Sequence, residues 1–508
     1  MPDAVLLSLP ILLPLLTGAV ALLAERRPGL PRRIGVAGAA ALLVAALLLF
    51  DAVIRRGTLV SAIGGWRAPF GIILVADTFS AIMVVLTGTL ALCAQLYALA
   101  DPTVADAPAG IIGREPPLSI LLMGISGILL TGDAFNLYVW FEVMLIASFV
   151  PLALGRGRTQ VEGALKYVVL NLLASALLLA GVALLYGLTG TLNMAYAAER
   201  LDLVTDRDLV TVCALLFLLA FGVKAAVFPL YFWLPASYPT LDPATSALYA
   251  GLLTKVGVYA LIRVFTLLFV HDVAFTHGLI LVISGLTMVS GVLGAVVQHE
   301  LRRLLSFHII SQIGYMTLGL GLFSQAGIAG AIFFTVHNMV VKSNLFLISG
   351  VARRLRGTEE LSHLGGLYQR RPLLAVIFLV TALSLAGLPP LSGFFGKLAL
   401  VRAGLERGEH VLVAVALAVS LMTLLSMLKI WNEAFWKPAP DEGDERRGSE
   451  RPRVTVMLVP CAALAVISVA MGLGAGPASE ISERAAAELL HPAGYIEAVL
   501  GPLAGRER

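Results

Sequence analysis

The residues that could do chemistry are ionisable side chains set in apolar runs. Glu142 lies inside TGDAFNLYVWFEVMLIASF, where no other charge occurs between residues 134 and 149. Lys224 follows the apolar run 214–223, and Lys255 lies in GLLTKVGVYAL. His337 and Lys342 share TVHNMVVKSNLF, His308 precedes IISQIGY, and Lys397 ends AGLPPLSGFFGK. Lys166 and Asp133 lie closer to the ends of their runs. An ionised group in an apolar span is expensive, and chains that keep one there use it. Glu142 and Lys224 are opposite in sign and deep in their spans, so they are expected to pair. A buried amine is discharged by desolvation and recharged by a nearby carboxylate, which makes such a pair a tunable proton site. Histidine relays protons near neutral pH. The primary candidates for proton movement are Glu142, Lys224, Lys255, His337 and Lys397. The secondary candidates are His308, Lys342, Lys166 and Asp133. Competing readings stay open: Lys166 and Lys342 could snorkel to an interface, and His308 could simply be hydrogen-bonded in the core.

The elements that must position these groups are membrane helices. The 508 residues are 58% hydrophobic and only 13% charged, too little polar sequence to cover a soluble core of this size. No stretch alternates as a membrane barrel strand does, so the chain is expected to be an all-α polytopic membrane protein. Fourteen spans are expected, near 4–24, 33–50, 69–99, 116–131, 135–154, 163–187, 209–230, 242–269, 276–297, 304–322, 326–351, 372–402, 409–433 and 453–474. The first is expected to be retained, since it lacks a basic leader. Span 3 is long enough to tilt or protrude. Span 7 meets prolines at 229, 235, 239 and 243, and span 12 carries two prolines and three glycines within residues 386–397. Both are expected to break, which is tolerated at membrane depth only where protein or a water-filled cavity covers the gap. Residues 441–453 read as a solvated loop. Residues 481–500 could form an amphipathic helix, interrupted at Pro492 and Gly494.

Arginine and lysine cluster after spans 1, 5, 9, 11 and 13, all on one side of the count. That side is expected to be cytoplasmic, with both termini outside. Net charge is only +4. Cys93, Cys213 and Cys461 each sit in an apolar run and suit packing rather than a disulfide or metal cluster. No P-loop, haem, flavin or nucleophile motif is present, so no cofactor and no metal are expected, and the chain is not expected to be an enzyme. Nucleic-acid binding is unsupported.

The stretches 131–155, 221–263, 308–315, 337–350 and 388–404 resemble the D subunit of Mrp-type multisubunit Na+/H+ antiporters. More widely they are similar to the antiporter-like proton-pumping subunits of respiratory complex I. The resemblance covers essentially all of residues 1–475. It implies a fourteen-helix core with two inverted five-helix repeats, broken at helices 7 and 12. The implied division is 1–110 (helices 1–3), 111–270 (first unit, helices 4–8), 271–435 (second unit, helices 9–13) and 436–508 (loop, helix 14 and tail). It also implies that Glu142 pairs with Lys224, that Lys255 and His337 belong to a central hydrophilic axis, and that Lys397 is the ionisable group of the second break. Tyr231 stands where many complex I homologues have histidine, which favours the antiporter. The implied function is proton translocation in a hetero-oligomeric monovalent cation (Na+)/H+ antiporter of large and small subunits in a bacterial or archaeal cell membrane. The alternatives are a proton-pumping subunit of a complex I-type oxidoreductase or membrane-bound hydrogenase, and a non-transporting structural subunit.

Overall fold

The computed structural model describes residues 1–101, 113–154, 157–438 and 451–501; the side chains of 451–453 lie outside the described set. The chain is almost wholly helical. In order it forms α1 (Asp3–Leu23), α2 (Leu30–Arg56), a hairpin of β1 (Leu59–Ala62) and β2 (Ile73–Ala76), then α3 (Thr78–Ala100) and α4 (Glu115–Leu130). Next come α5 (Ala134–Ala153), α6 (Arg158–Thr189), α7 (Met194–Leu203), α8 (Arg207–Ala225), α9 (Trp233–Ser237) and α10 (Pro243–Leu267). They are followed by α11 (Val273–Val296), α12 (Leu301–Gly321), α13 (Gln325–Arg356), α14 (Pro372–Ala386), α15 (Ser392–Glu406) and α16 (His410–Trp436). The last are α17 (Arg451–Leu473), α18 (Ala475–Leu490) and α19 (Ala493–Leu500). Among the described residues twelve helices are long and apolar enough to cross a bilayer, and α4 and α14 are shorter apolar helices. The chain is an all-α polytopic membrane protein.

Local sequence sets the helix ends. The Asp77 carboxylate accepts from Ser80 N–H at 2.9 Å while Ser80 Oγ accepts from Asp77 N–H at 2.9 Å, a reciprocal cap that starts α3. Asp133, Asp242, Asp272 and Ser324 cap α5, α10, α11 and α13 from one side only. Gly387, at φ +89°, ends α14, a backbone turn that costs glycine little.

Depth of burial separates centre from rim. Nearly every residue of α10, α12 and α13 is buried, whereas α1, α2, α6 and α16 are less than half buried. Val161, Leu165, Val169, Leu172 and Leu173 form an exposed apolar stripe on α6. In a bilayer such a stripe meets acyl chains, so it carries no penalty. α13 lies at the middle, packed against α12, α14, α15, α17 and α18.

Three expectations need correction. The third span starts at Thr78 rather than near residue 69, because β2 pairs antiparallel with β1. The run ILVA before Asp77 is apolar without a helical period, and such a run suits a buried strand equally well. The tail breaks at His491 and Pro492, between α18 and α19, as expected, but not at Gly494, which sits inside α19. Of the loop expected at 441–453, residues 441–450 lie outside the described residues, and Arg451 already begins α17. Within residues 386–397, helix stops at Ala386 and resumes at Ser392.

A buried row of ionisable side chains

Lys224 lies in the last turn of α8, just before Ala226 turns left-handed (φ 60°) and the helix stops. Its Nζ donates to Ser175 Oγ on α6 at 3.3 Å and lies 5.0 Å from the centre of the Phe141 ring on α5. Glu142, the next residue, is half-buried, and its Oε1 has no hydrogen-bond partner. The expected direct pair is therefore not formed. What lies against the Lys224 amine is instead the ring of Phe141, the residue before Glu142 on α5.

Lys255 is completely buried in α10. Its Nζ donates to Ala250 O at 2.6 Å, where residues 249–253 widen into a π turn. Such a turn frees carbonyls that a regular helix would engage, and it recurs at functional sites. Lys342, on α13, is also completely buried, and its Nζ has no partner. Its helix packs against both α10, which carries Lys255, and α15, which carries Lys397.

Lys397 sits beyond the second gap, on α15. Its Nζ donates to Leu385 O at 3.1 Å, Ala386 O at 2.9 Å and Ser420 Oγ at 2.9 Å, and lies 5.2 Å from the Tyr315 ring centre. Those carbonyls end α14, the negative end of its dipole, which suits a cation. His337 bonds through Nδ1 to Ser392 Oγ at 2.8 Å, and its Nε2 is unpartnered. His308 bonds through Nε2 to Ser426 Oγ at 2.9 Å, and its Nδ1 is unpartnered.

The remaining candidates lie apart. Lys166 is about half exposed and pairs with Glu162 at 2.6 Å, one turn earlier on α6. Asp133 caps α5, its carboxylate accepting from Asn136 N–H at 2.7 Å. Burial pushes the Asp133 carboxyl up, against the pull of the Asn136 and Phe135 amides.

Several polar residues escaped the reading of the sequence. Gln312, four residues after His308, is completely buried with neither end of its amide bonded, and Asn338, beside His337, is the same. Asn344 donates to Thr381 at 2.9 Å. The available signal was amide residues beside a histidine in an apolar run. Buried ion pairs also brace the ends of the central helices: Asp77 with Arg263 at 2.6 Å, and Arg302 with Glu359 at 2.6 Å. No group of three or more metal-ligating side chains occurs among the described residues.

The arrangement can hold and pass protons. Three buried lysines on helices packed against one another cannot all be charged cheaply.

Comparison with known proteins places this geometry in a lineage. Residues 131–423 match the transmembrane family described as NADH:quinone oxidoreductase/Mrp antiporter. The chain is 44% identical over 503 residues to the D subunit of the Na+/H+ antiporter of Alkalihalophilus pseudofirmus, covering 97% of this chain and 99% of that one. It is 39% identical over 501 residues to the corresponding D subunit of Bacillus subtilis, covering 97% and 98%. A chain of the Mrp complex from Dietzia superposes with a TM-score of 0.89 at 35% identity, covering 98% of this chain and 99% of that one. With its interrupted helices and its row of buried lysines, the chain belongs to the NADH:quinone oxidoreductase/Mrp antiporter family, as a homologue of the Mrp antiporter D subunits.

Proposed function

We propose that this protein is the proton-translocating D subunit of a multisubunit Na+/H+ antiporter in a bacterial or archaeal cell membrane, working among large and small membrane subunits. Protons pass along Glu142, Lys224, Lys255, Lys342, His337 and Lys397, and Na+ is the exchanged ion. The observation that carries this reading is Lys342, buried and unpartnered on a helix packed against the two helices that carry Lys255 and Lys397. A charge there is favourable only while a neighbour is neutral, so discharge of one lysine draws a proton to the next. The unbonded amides of Gln312 and Asn338 and the free nitrogens of His308 and His337 give internal water the polar partners it needs to bridge the steps.

The chain is read as fourteen crossings in two inverted five-helix units, residues 111–270 and 271–435, after a leading segment 1–110 and before the tail 436–508. What supports this is the parallel between two interruptions: α8 stops at Ala225 and helix resumes at Trp233, while α14 stops at Ala386 and helix resumes at Ser392. The clustering of arginine in alternate loops supports a reading with both termini on the extracytoplasmic side. The hairpin of β1 and β2 then faces outward with the start of α3.

The test is antiport by the whole complex in proteoliposomes with imposed Na+ and pH gradients. Lys342→Ala is expected to reduce Na+-dependent proton movement to background at normal protein level. Undiminished antiport in that variant would overturn the route.

A further inference from the structure

We propose that a ring of three serine hydroxyls fixes the tautomer of His337, and so decides which of its nitrogens receives a proton. The proposal rests on the reading of His337 as a proton carrier. Ser384 ends α14, Ser392 begins α15 and Ser468 lies on α17, and all three side chains are completely or almost completely buried. Their Oγ atoms form a closed triangle, with Ser384 to Ser392 at 3.1 Å, Ser384 to Ser468 at 2.9 Å and Ser392 to Ser468 at 3.1 Å. Ser392 Oγ also meets His337 Nδ1 at 2.8 Å.

Four contacts need four hydrogens. A hydroxyl has one to donate and two lone pairs to accept, so the serines supply three. The fourth comes from His337 Nδ1. With Nδ1 protonated, each serine donates once around the ring, Ser392 accepts twice, and every contact is a hydrogen bond. With Nδ1 bare, Ser392 spends its hydrogen on the histidine and one edge of the triangle sets lone pair against lone pair. A buried contact without its hydrogen disfavours that tautomer on the order of tenfold.

The favoured tautomer leaves the lone pair on Nε2, the nitrogen with no partner. That side of the ring is kept open by glycine, since a Cβ at Gly393 would lie 2.9 Å from Nε2. The nearest charged side chains along these two helices are Lys342, on the helix of His337, and Lys397, on the helix of Ser392. His308 lies on α12, which packs against both of these helices. α14 and the described part of α17 bring no charged side chain here. A proton leaving either ammonium turns it into a neutral amine and forms the N–H bond at Nε2, giving an imidazolium. The Nδ1–H bond and the serine ring are unchanged by the transfer, so nothing has to rearrange to accept it. Ser384, Ser392 and Ser468 are thus positioning residues, and Ser468 brings α17 into the machinery although it lies outside both five-helix units.

Without Ser468 the count changes. Two contacts remain, and the hydroxyls of Ser384 and Ser392 can supply both, so the neutral ring gains a competing tautomer with its hydrogen on Nε2. Na+-driven proton movement by the whole complex in inverted vesicles, recorded across pH, reads this out. Ser468→Ala lowers the share of the productive tautomer from nearly all to about half, so it is expected to slow antiport about twofold and to move its pH profile slightly to the acid side, with Ser468→Thr restoring both. Ser384→Ala, judged by the same two criteria, serves if the first variant does not assemble. A wild-type rate and profile in the alanine variant, beside an inactive His337→Ala, overturns the ring and leaves the carrier reading standing. A slowed variant whose profile is unmoved and which threonine does not restore also overturns it, as a purely structural contact. Full activity in His337→Ala overturns both.

Discussion

The surroundings of Lys224 and Lys397 solve one problem in two ways. Both lysines lie at an interruption in a helix and both ammonium groups sit near an aromatic face. Lys224 has one long hydrogen bond, to a serine, and an acid close by that does not touch it. Lys397 has three oxygen acceptors and no acidic partner among the described residues. The first site holds its proton through a charge at a distance, which a small movement of either side chain can strengthen or relax. The second holds it through fixed helix-end dipoles, which change only if the helices around the gap shift. The two lysines thus differ in how firmly their surroundings fix the amine, with one hydrogen bond at Lys224 and three at Lys397.

The comparison can be broken most severely by removing the amines. Lys397→Ala and Lys224→Ala are each expected to reduce antiport in vesicles to background while the complex still assembles; full activity in either removes that region from the route. Glu142→Ala is expected to do the same through Lys224, and normal antiport would show that the distant carboxylate is irrelevant. A smaller effect is expected from the acceptors. Ser420→Ala removes one of three bonds to a cation, worth about 1.5–3 kcal/mol, and should slow transport roughly tenfold or more. Ser175→Ala removes a longer bond and should cost about threefold, because longer hydrogen bonds are weaker. Equal losses in the two would erase the distinction between a cage and a loose site. Smallest of all, Lys166→Ala should leave transport and protein level unchanged, since an exposed pair one turn apart is worth about 0.3–0.5 kcal/mol.

Much of this was legible in the order of residues. Long apolar runs bounded by charge locate helices because a bilayer permits little else, and Gly387 with two following prolines announces the gap before Ser392. The hairpin before α3 was hidden because four apolar residues in a row have no period to read. Depth along a helix was legible too, but not the face. Lys342 could have reached an interface by its sequence, and only the meeting of α10, α13 and α15 shows it wholly buried. The same limit applies to Glu142 and Lys224: opposite charges at matching depth predicted contact, and the Phe141 ring is what lies over the ammonium. Serine is common enough in membrane helices that Ser384, Ser392 and Ser468 carried no signal until three helices brought them together.

The beginning and end of the chain are stitched at one place. Glu488, on α18, accepts from the Thr78 amide at 3.0 Å and the Thr78 hydroxyl at 2.8 Å, and Arg484 donates to Ile54 O at 3.0 Å. Thr78 and Glu488 are 410 residues apart. A ribosome adding about 5–20 residues per second takes about 20–80 seconds to make that stretch. For that interval the first turn of α3 has its Asp77 cap but not its carboxylate from α18, and the last carbonyls of α2 lack their guanidinium. The stitch thus acts as a clock on biogenesis: this corner of the protein cannot close until nearly all of its helices have been delivered to the membrane.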